Sequence, residues 1–71
     1  MKYTVIIEKG ETSYGAFVPD LPGCIAVGES NEEALKLIKE AIEFHLEGLK
    51  EEGEGIPMPH CDIVKVEVRA A

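Results

Sequence analysis

The stretch running from Gly15 to Ser30, GAFVPDLPGCIAVGES, constrains the fold of this chain more than any other. Phe17 and Val18 lead into Pro19-Asp20-Leu21-Pro22-Gly23. Two prolines lock φ near −65° there, and Gly23 accepts backbone conformations that other residues resist. An extended apolar run, Cys24-Ile25-Ala26-Val27, follows and ends at Gly28. Ser30 then opens a helix. The stretch therefore predicts strand, rigid corner, strand and helix cap in sixteen residues. What lies before it must pair with it, and what lies after it must cover it.

Residues 3–9, YTVIIEK, are β-branched and aromatic without a breaker, and predict the first strand. Gly10-Glu11 suits a two-residue hairpin turn with glycine at its first central position. That turn would pair Val5 with Ala16 and Ile7 with Tyr14 on an apolar face, leaving Thr4, Ile6, Glu8, Ser13, Gly15 and Phe17 on the other. Residues 12–18 form the return strand and residues 24–28 a short third strand. Ser30-Asn31-Glu32-Glu33 matches a capping box, with Glu33 reaching back to the N–H of the cap. The helix runs to about Glu52 and stops at Gly53. Lys36, Lys39, Glu40, Glu43, Glu47, Lys50 and Glu51 fall on one arc. The remaining apolar arc spans roughly 200°, more than one sheet face needs. The surplus, Leu35 and Leu46 on one flank and Leu37 and Phe44 on the other, is expected to meet the following loop or a second subunit. Leu37, Phe44 and Leu46 are the candidate oligomer contacts. Ile56-Pro57-Met58-Pro59 excludes helix. In residues 62–69, Val64, Val66 and Val68 alternate with Ile63, Lys65, Glu67 and Arg69, predicting a last strand with its valines toward the helix.

The expected fold is α+β: a single domain, residues 1–71, in the order β-β-β-α-β. A four-stranded mixed sheet carries one helix on one face, with the last strand parallel to the first through a right-handed crossover. A core this small rarely supplies more than about 3–5 kcal/mol. With only two cysteines, oligomerisation is the expected supplement. The net charge of −7 opposes contact with nucleic-acid phosphates and favours a basic protein. No apolar run approaches the ~18 residues of a membrane span and no signal peptide opens the chain, so the cytoplasm is the expected compartment.

No catalytic motif is visible. His45 lies at the centre of the apolar helix arc without a nucleophile or carboxylate to orient it, and is expected to be a core histidine. Cys24, His45, His60 and Cys61 are zinc-ligand types without zinc spacing. A Cys24–Cys61 bond would need an oxidising compartment. Glu8, Asp20, Glu52 and Asp62 are read as surface charges. The seven glycines form no phosphate loop; they read as turns and caps, with one close helix approach at Gly48. No catalytic residue, no metal and no cofactor is expected.

Several of these residues together resemble a known family. The run from Gly15 to Cys24, then Gly28, Ser30, Glu32-Glu33-Ala34, Ala41, Leu46-Glu47-Gly48-Leu49 and Ile56-Pro57-Met58-Pro59, is similar to the HicB-like antitoxins of prokaryotic toxin–antitoxin pairs. The resemblance covers nearly the whole chain. It implies a truncated RNase H-like domain that forms dimers or tetramers. It also implies a role: neutralising a small basic RNA-cleaving protein, a HicA-like toxin. Full members carry a C-terminal helix-turn-helix or ribbon-helix-helix segment. These 71 residues hold no such helix, so direct nucleic-acid contact is not expected. The corner residues Asp20, Leu21, Pro22, Gly23 and Cys24 are the candidate partner-binding site. The alternative is a stand-alone homo-oligomer that binds a small ligand.

Overall fold

The computed structural model describes residues 1–70. Three four-residue strands, β1 (Ile6–Lys9), β2 (Tyr14–Phe17) and β3 (Ile25–Gly28), form an antiparallel sheet in the order β1-β2-β3. One helix, α1 (Asn31–Glu51), crosses one face. The α+β class and the meander followed by a helix are as expected. Ile7 opposes Ala16 and Lys9 opposes Tyr14. The turn is centred on Glu11-Thr12, one residue later than expected, and is closed by Gly10 N–H donating to the Ser13 carbonyl at 2.7 Å. Every pairing moves by two positions as a result. Because strand side chains alternate with period two, no residue changes face.

The core sits between sheet and helix. Ala16, Val18, Leu21, Cys24, Ala34 and Ile38 are buried, with Tyr3, Val5, Ile7, Tyr14, Ala26, Ala41, Ile42 and Leu46 packed around them. β3 ends hard against the first turn of α1. A Cβ on Gly28 would lie 2.6 Å from the Ala34 nitrogen, whereas one on Gly48 would meet nothing within 4 Å. The close approach expected at Gly48 therefore occurs at Gly28.

Both helix ends are built from local sequence. Ser30 Oγ accepts from Glu33 N–H at 3.0 Å, and Glu33 Oε1 reaches back to Glu29 N–H at 3.1 Å, one residue beyond the expected cap N–H. Glu32 and Glu33 stand at the positive end of the helix dipole. At the other end Gly53 takes φ +74. Its N–H reaches the Lys50 carbonyl and Glu54 N–H reaches that of Leu49, a Schellman closure.

The last segment departs from expectation. Residues 62–69 belong to no strand and residues 62–70 are all exposed. Val64, Val66 and Val68 are about three-quarters exposed rather than under the helix. Among the described residues the sheet has three strands and no parallel pair. The opposite sheet face, with Ile25 and Val27, carries no helix.

The corner and its clasp as a candidate functional site

The corner is two β-turns in series. Leu21 N–H donates to the Val18 carbonyl at 3.0 Å, and Cys24 N–H to the Leu21 carbonyl at 3.0 Å. Each turn has proline at its second position, Pro19 and then Pro22. The second also has Gly23 at φ +84, the type II arrangement. Val18 N–H donates to the Cys24 carbonyl across the base at 3.2 Å. This geometry turns Leu21 and Cys24 into the core and leaves Pro22 and Gly23 on the surface.

The first turn also aims Asp20 inward. Asp20 is 3% exposed, not the surface charge expected of it. Its carboxylate meets the connector that follows α1. His60 N–H donates to Oδ2 at 3.3 Å. His60 Nδ1 lies 2.8 Å from Oδ1 without the alignment of a hydrogen bond, so Oδ1 sits out of water without an aligned donor. Nδ1 is also 3.2 Å from the Met58 carbonyl. Flanked by two acceptors, Nδ1 is assigned the ring proton. The Cys61 thiol hydrogen-bonds to the same carboxylate, and this bond chiefly lowers the Asp20 pKa. Loss of water at the carboxylate works against that shift; the His60 N–H and ring add to it.

Two further bonds hold the connector. Tyr3 Oη donates to the Pro57 carbonyl, and Thr4 Oγ1 to that of Cys61 at 3.1 Å. Residues 57–61 are thus clasped between the lead-in to β1 and the corner. Sequence reading grouped His60 and Cys61 with Cys24 and His45, and set Asp20 apart. The structure joins them to Asp20 instead, across 40 positions of chain. Cys24 is buried and free, its pKa raised by burial. His45 is half-buried on α1.

Chemically the cluster holds rather than reacts. The Cys61 pKa is raised, first by its hydrogen bond to Asp20, so it stays a thiol and a poor nucleophile. Asp20, His60 and Cys61 offer ligand atoms within 4.8 Å of one another and are the residues that would hold a metal ion. As found, the carboxylate accepts from His60 N–H at Oδ2 and from the Cys61 thiol, while Oδ1 keeps no aligned backbone or ring donor.

The candidate oligomer contacts fall in three environments. Phe44 is 81% exposed, Leu37 is half-buried, and Leu46 packs against the core. Leu35, from the same surplus, is half exposed and lines a groove of about 580 Å³ between α1 and Val5. Among the described residues no helix is long and apolar enough to cross a membrane.

Comparison with known proteins places this architecture. Residues 3–69 match the family described as HicB-like antitoxin of bacterial toxin–antitoxin system. A UPF0150 protein of Thermoplasma acidophilum is 48% identical over 67 residues, covering 93% of this chain and 97% of that one. Antitoxin HicB 2 of Photorhabdus laumondii is 32% identical over 59 residues; the match covers 83% of this chain and 42% of that longer protein. The crystal structure of the N-terminal domain of Burkholderia pseudomallei antitoxin HicB superposes with a TM-score of 0.77 at 36% identity, over 89% of this chain and 74% of that one. With the family pattern spanning nearly every residue and the solved antitoxin domain sharing its fold, the chain belongs to the HicB-like antitoxin family.

Proposed function

We propose that the protein is a non-enzymatic antitoxin module that binds and neutralises a small, basic, RNA-cleaving toxin of the HicA type. The observation that carries this reading is the distribution of charge. Residues 1–61 hold 5 Lys and Arg against 12 Asp and Glu, so the entire net charge of −7 resides there. Glu40, Glu43, Glu47 and Glu51 are all exposed along α1. Such a surface draws in a cationic protein and repels RNA, which suits an inhibitor that competes with RNA for a basic toxin. The corner contributes a rigid rim, Pro22 and Gly23, supported from below by Asp20, Leu21 and Cys24. In this reading the domain is a truncated RNase H-like unit, cytoplasmic and homo-oligomeric, with Phe44 at a subunit contact and no direct hold on nucleic acid.

The test is co-expression with a HicA-like toxin, followed by purification and an RNA-cleavage assay. A stoichiometric complex that suppresses cleavage and weakens as salt rises is the expected result. Unhindered cleavage with no complex at low salt would remove the proposal.

A further inference from the structure

The clasp at the corner has the donor set of a metal site. Asp20, His60 and Cys61 bring a carboxylate oxygen, an imidazole nitrogen and a thiol sulfur within 4.8 Å of one another. Oxygen, nitrogen and sulfur together suit zinc, whereas magnesium and calcium take oxygen alone. An independent sign is Asp20 Oδ1. The Asp20 side chain is fully out of water, and Oδ1 has no hydrogen-bond partner among the described residues. A buried carboxylate oxygen without a donor is costly to keep, and a cation beside it removes that cost. The scaffold is set without any ion. Two proline turns fix the corner. Tyr3 and Thr4 hold the carbonyls of Pro57 and Cys61, on either side of His60.

We propose that Asp20, His60 and Cys61 bind a Zn²⁺ ion through a carboxylate oxygen, Nδ1 and Sγ, with water as the fourth ligand. Binding exchanges protons and involves no redox change. The Cys61 thiol releases its proton to solvent. The His60 ring gives up the Nδ1 proton and takes one at Nε2, on a side chain 74% exposed to water. Carboxylate and thiolate then balance the charge of the ion, so the buried oxygen gains a partner and the site is neutral. The geometry needs one small adjustment. Nδ1 and Oδ1 are 2.8 Å apart. Two such ligand atoms on a tetrahedral zinc, with bonds of about 2.0–2.1 Å, stand about 3.3 Å apart. The exposed His60 ring can withdraw that far while Asp20 stays in place, and the same exposure gives the ion its way in. The net charge of −7 draws cations toward the body. Zinc so held cross-links the corner to the connector across 40 positions of chain. Adjacent ligands with a third so far away match no zinc spacing, which is why spacing predicts no metal here.

This inference does not rest on the toxin, and its test uses the full chain alone, untagged, stripped by a chelator and kept reduced by a phosphine. Calorimetric titration with zinc should saturate at one ion per chain with micromolar or tighter affinity. Cobalt(II) in its place should give a thiolate-to-metal charge-transfer band and the intense visible absorption of a tetrahedral ion. His60→Ala and Cys61→Ser should each weaken zinc by more than about tenfold, the least that loss of even an outer-shell partner costs. Circular dichroism checks that both variants fold. Cys24→Ala, which removes the other thiol, should bind zinc as the wild type does. Zinc should also raise the melting temperature of the wild type and slow amide exchange at His60 and Cys61, with neither effect in His60→Ala. No saturable binding at sub-millimolar zinc, a cobalt spectrum without the thiolate band, or unchanged affinity in both ligand variants would each overturn the proposal.

Discussion

Alanine should act with opposite sign at two glycines of this chain. Neither Gly28 nor Gly48 takes a positive φ, so backbone conformation does not require glycine at either place. In both, alanine restricts the unfolded chain and would by that alone stabilise the fold by about 0.4–1 kcal/mol. The difference is space. At Gly28 the added Cβ would sit 2.6 Å from the Ala34 nitrogen and 3.0 Å from its Cα. These are backbone atoms in the capped first turn of α1, and they cannot swing aside as a side chain does. Overpacking of this kind costs about 1–3 kcal/mol. The net expectation for Gly28→Ala is a loss of about 1–2 kcal/mol, against total stability of only about 3–5 kcal/mol for a domain this small. At Gly48, inside α1 with nothing within 4 Å, alanine should add about 0.5–1 kcal/mol. Urea titrations at fixed protein concentration measure both. The melting temperature should move by about 4–8 °C per kcal/mol. Gly28→Ala at or above wild-type stability would refute the claim that β3 and α1 touch through backbone there.

The clasp carries a pH signature. The Asp20 pKa is lowered from 3.8, so the folded state binds its proton more weakly than the unfolded one. The stabilisation is complete above 3.8 and is lost as pH falls through the lower folded value. The gap in urea midpoint between wild type and Asp20→Asn should therefore shrink below pH 4, and a gap constant from pH 5 to 2 would disprove the linkage. The Cys61 pKa is raised above 9.0, so its contribution runs the other way, complete below 9.0 and lost as pH rises through the folded value. Cys61→Ser should retain more of the clasp than Cys61→Ala, as read by hydrogen exchange at residues 58–61. Tyr3→Phe removes a donor to Pro57 and should cost about 0.5–1.5 kcal/mol, with faster proteolysis after residue 56. Ser30→Ala removes the cap bond and should cost about 0.5–2 kcal/mol by thermal melting. Phe44→Glu, at an 81% exposed position, should leave stability within about 0.5 kcal/mol. If Phe44 lies at a subunit contact, the same change lowers the mass by light scattering, and an unchanged mass excludes it.

Most of the local structure was legible because it is specified by neighbours in sequence. Pro19, Pro22 and Gly23 predict two turns whatever packs on them, and Ser30 with Glu33 predicts a helix start. Even the misplaced hairpin turn left the core intact, since a slip of two keeps Ile7 and Ala16 on the same face. The Asp20 clasp was illegible for the opposite reason. An aspartate in a proline turn normally faces water. What receives the Asp20 carboxylate is a connector 40 residues later, and neither segment alone carries a sign of the other. Helix surplus was only partly diagnostic, since Leu46 proved to be core and Phe44 did not.

The fourth strand shows where such reading reaches its boundary. Alternating valines specify the geometry of a partner: an open ladder on one side and an apolar surface on one face. They say nothing about which chain supplies it. A strand that completes its own sheet and a strand that completes a neighbour's obey the same period, and a two-residue periodicity cannot distinguish them. The body of this protein has an unpaired β1 edge and, separately, a groove between Val5 and the Leu35–Ile38–Ile42 side of α1. Its own valines remain in solvent.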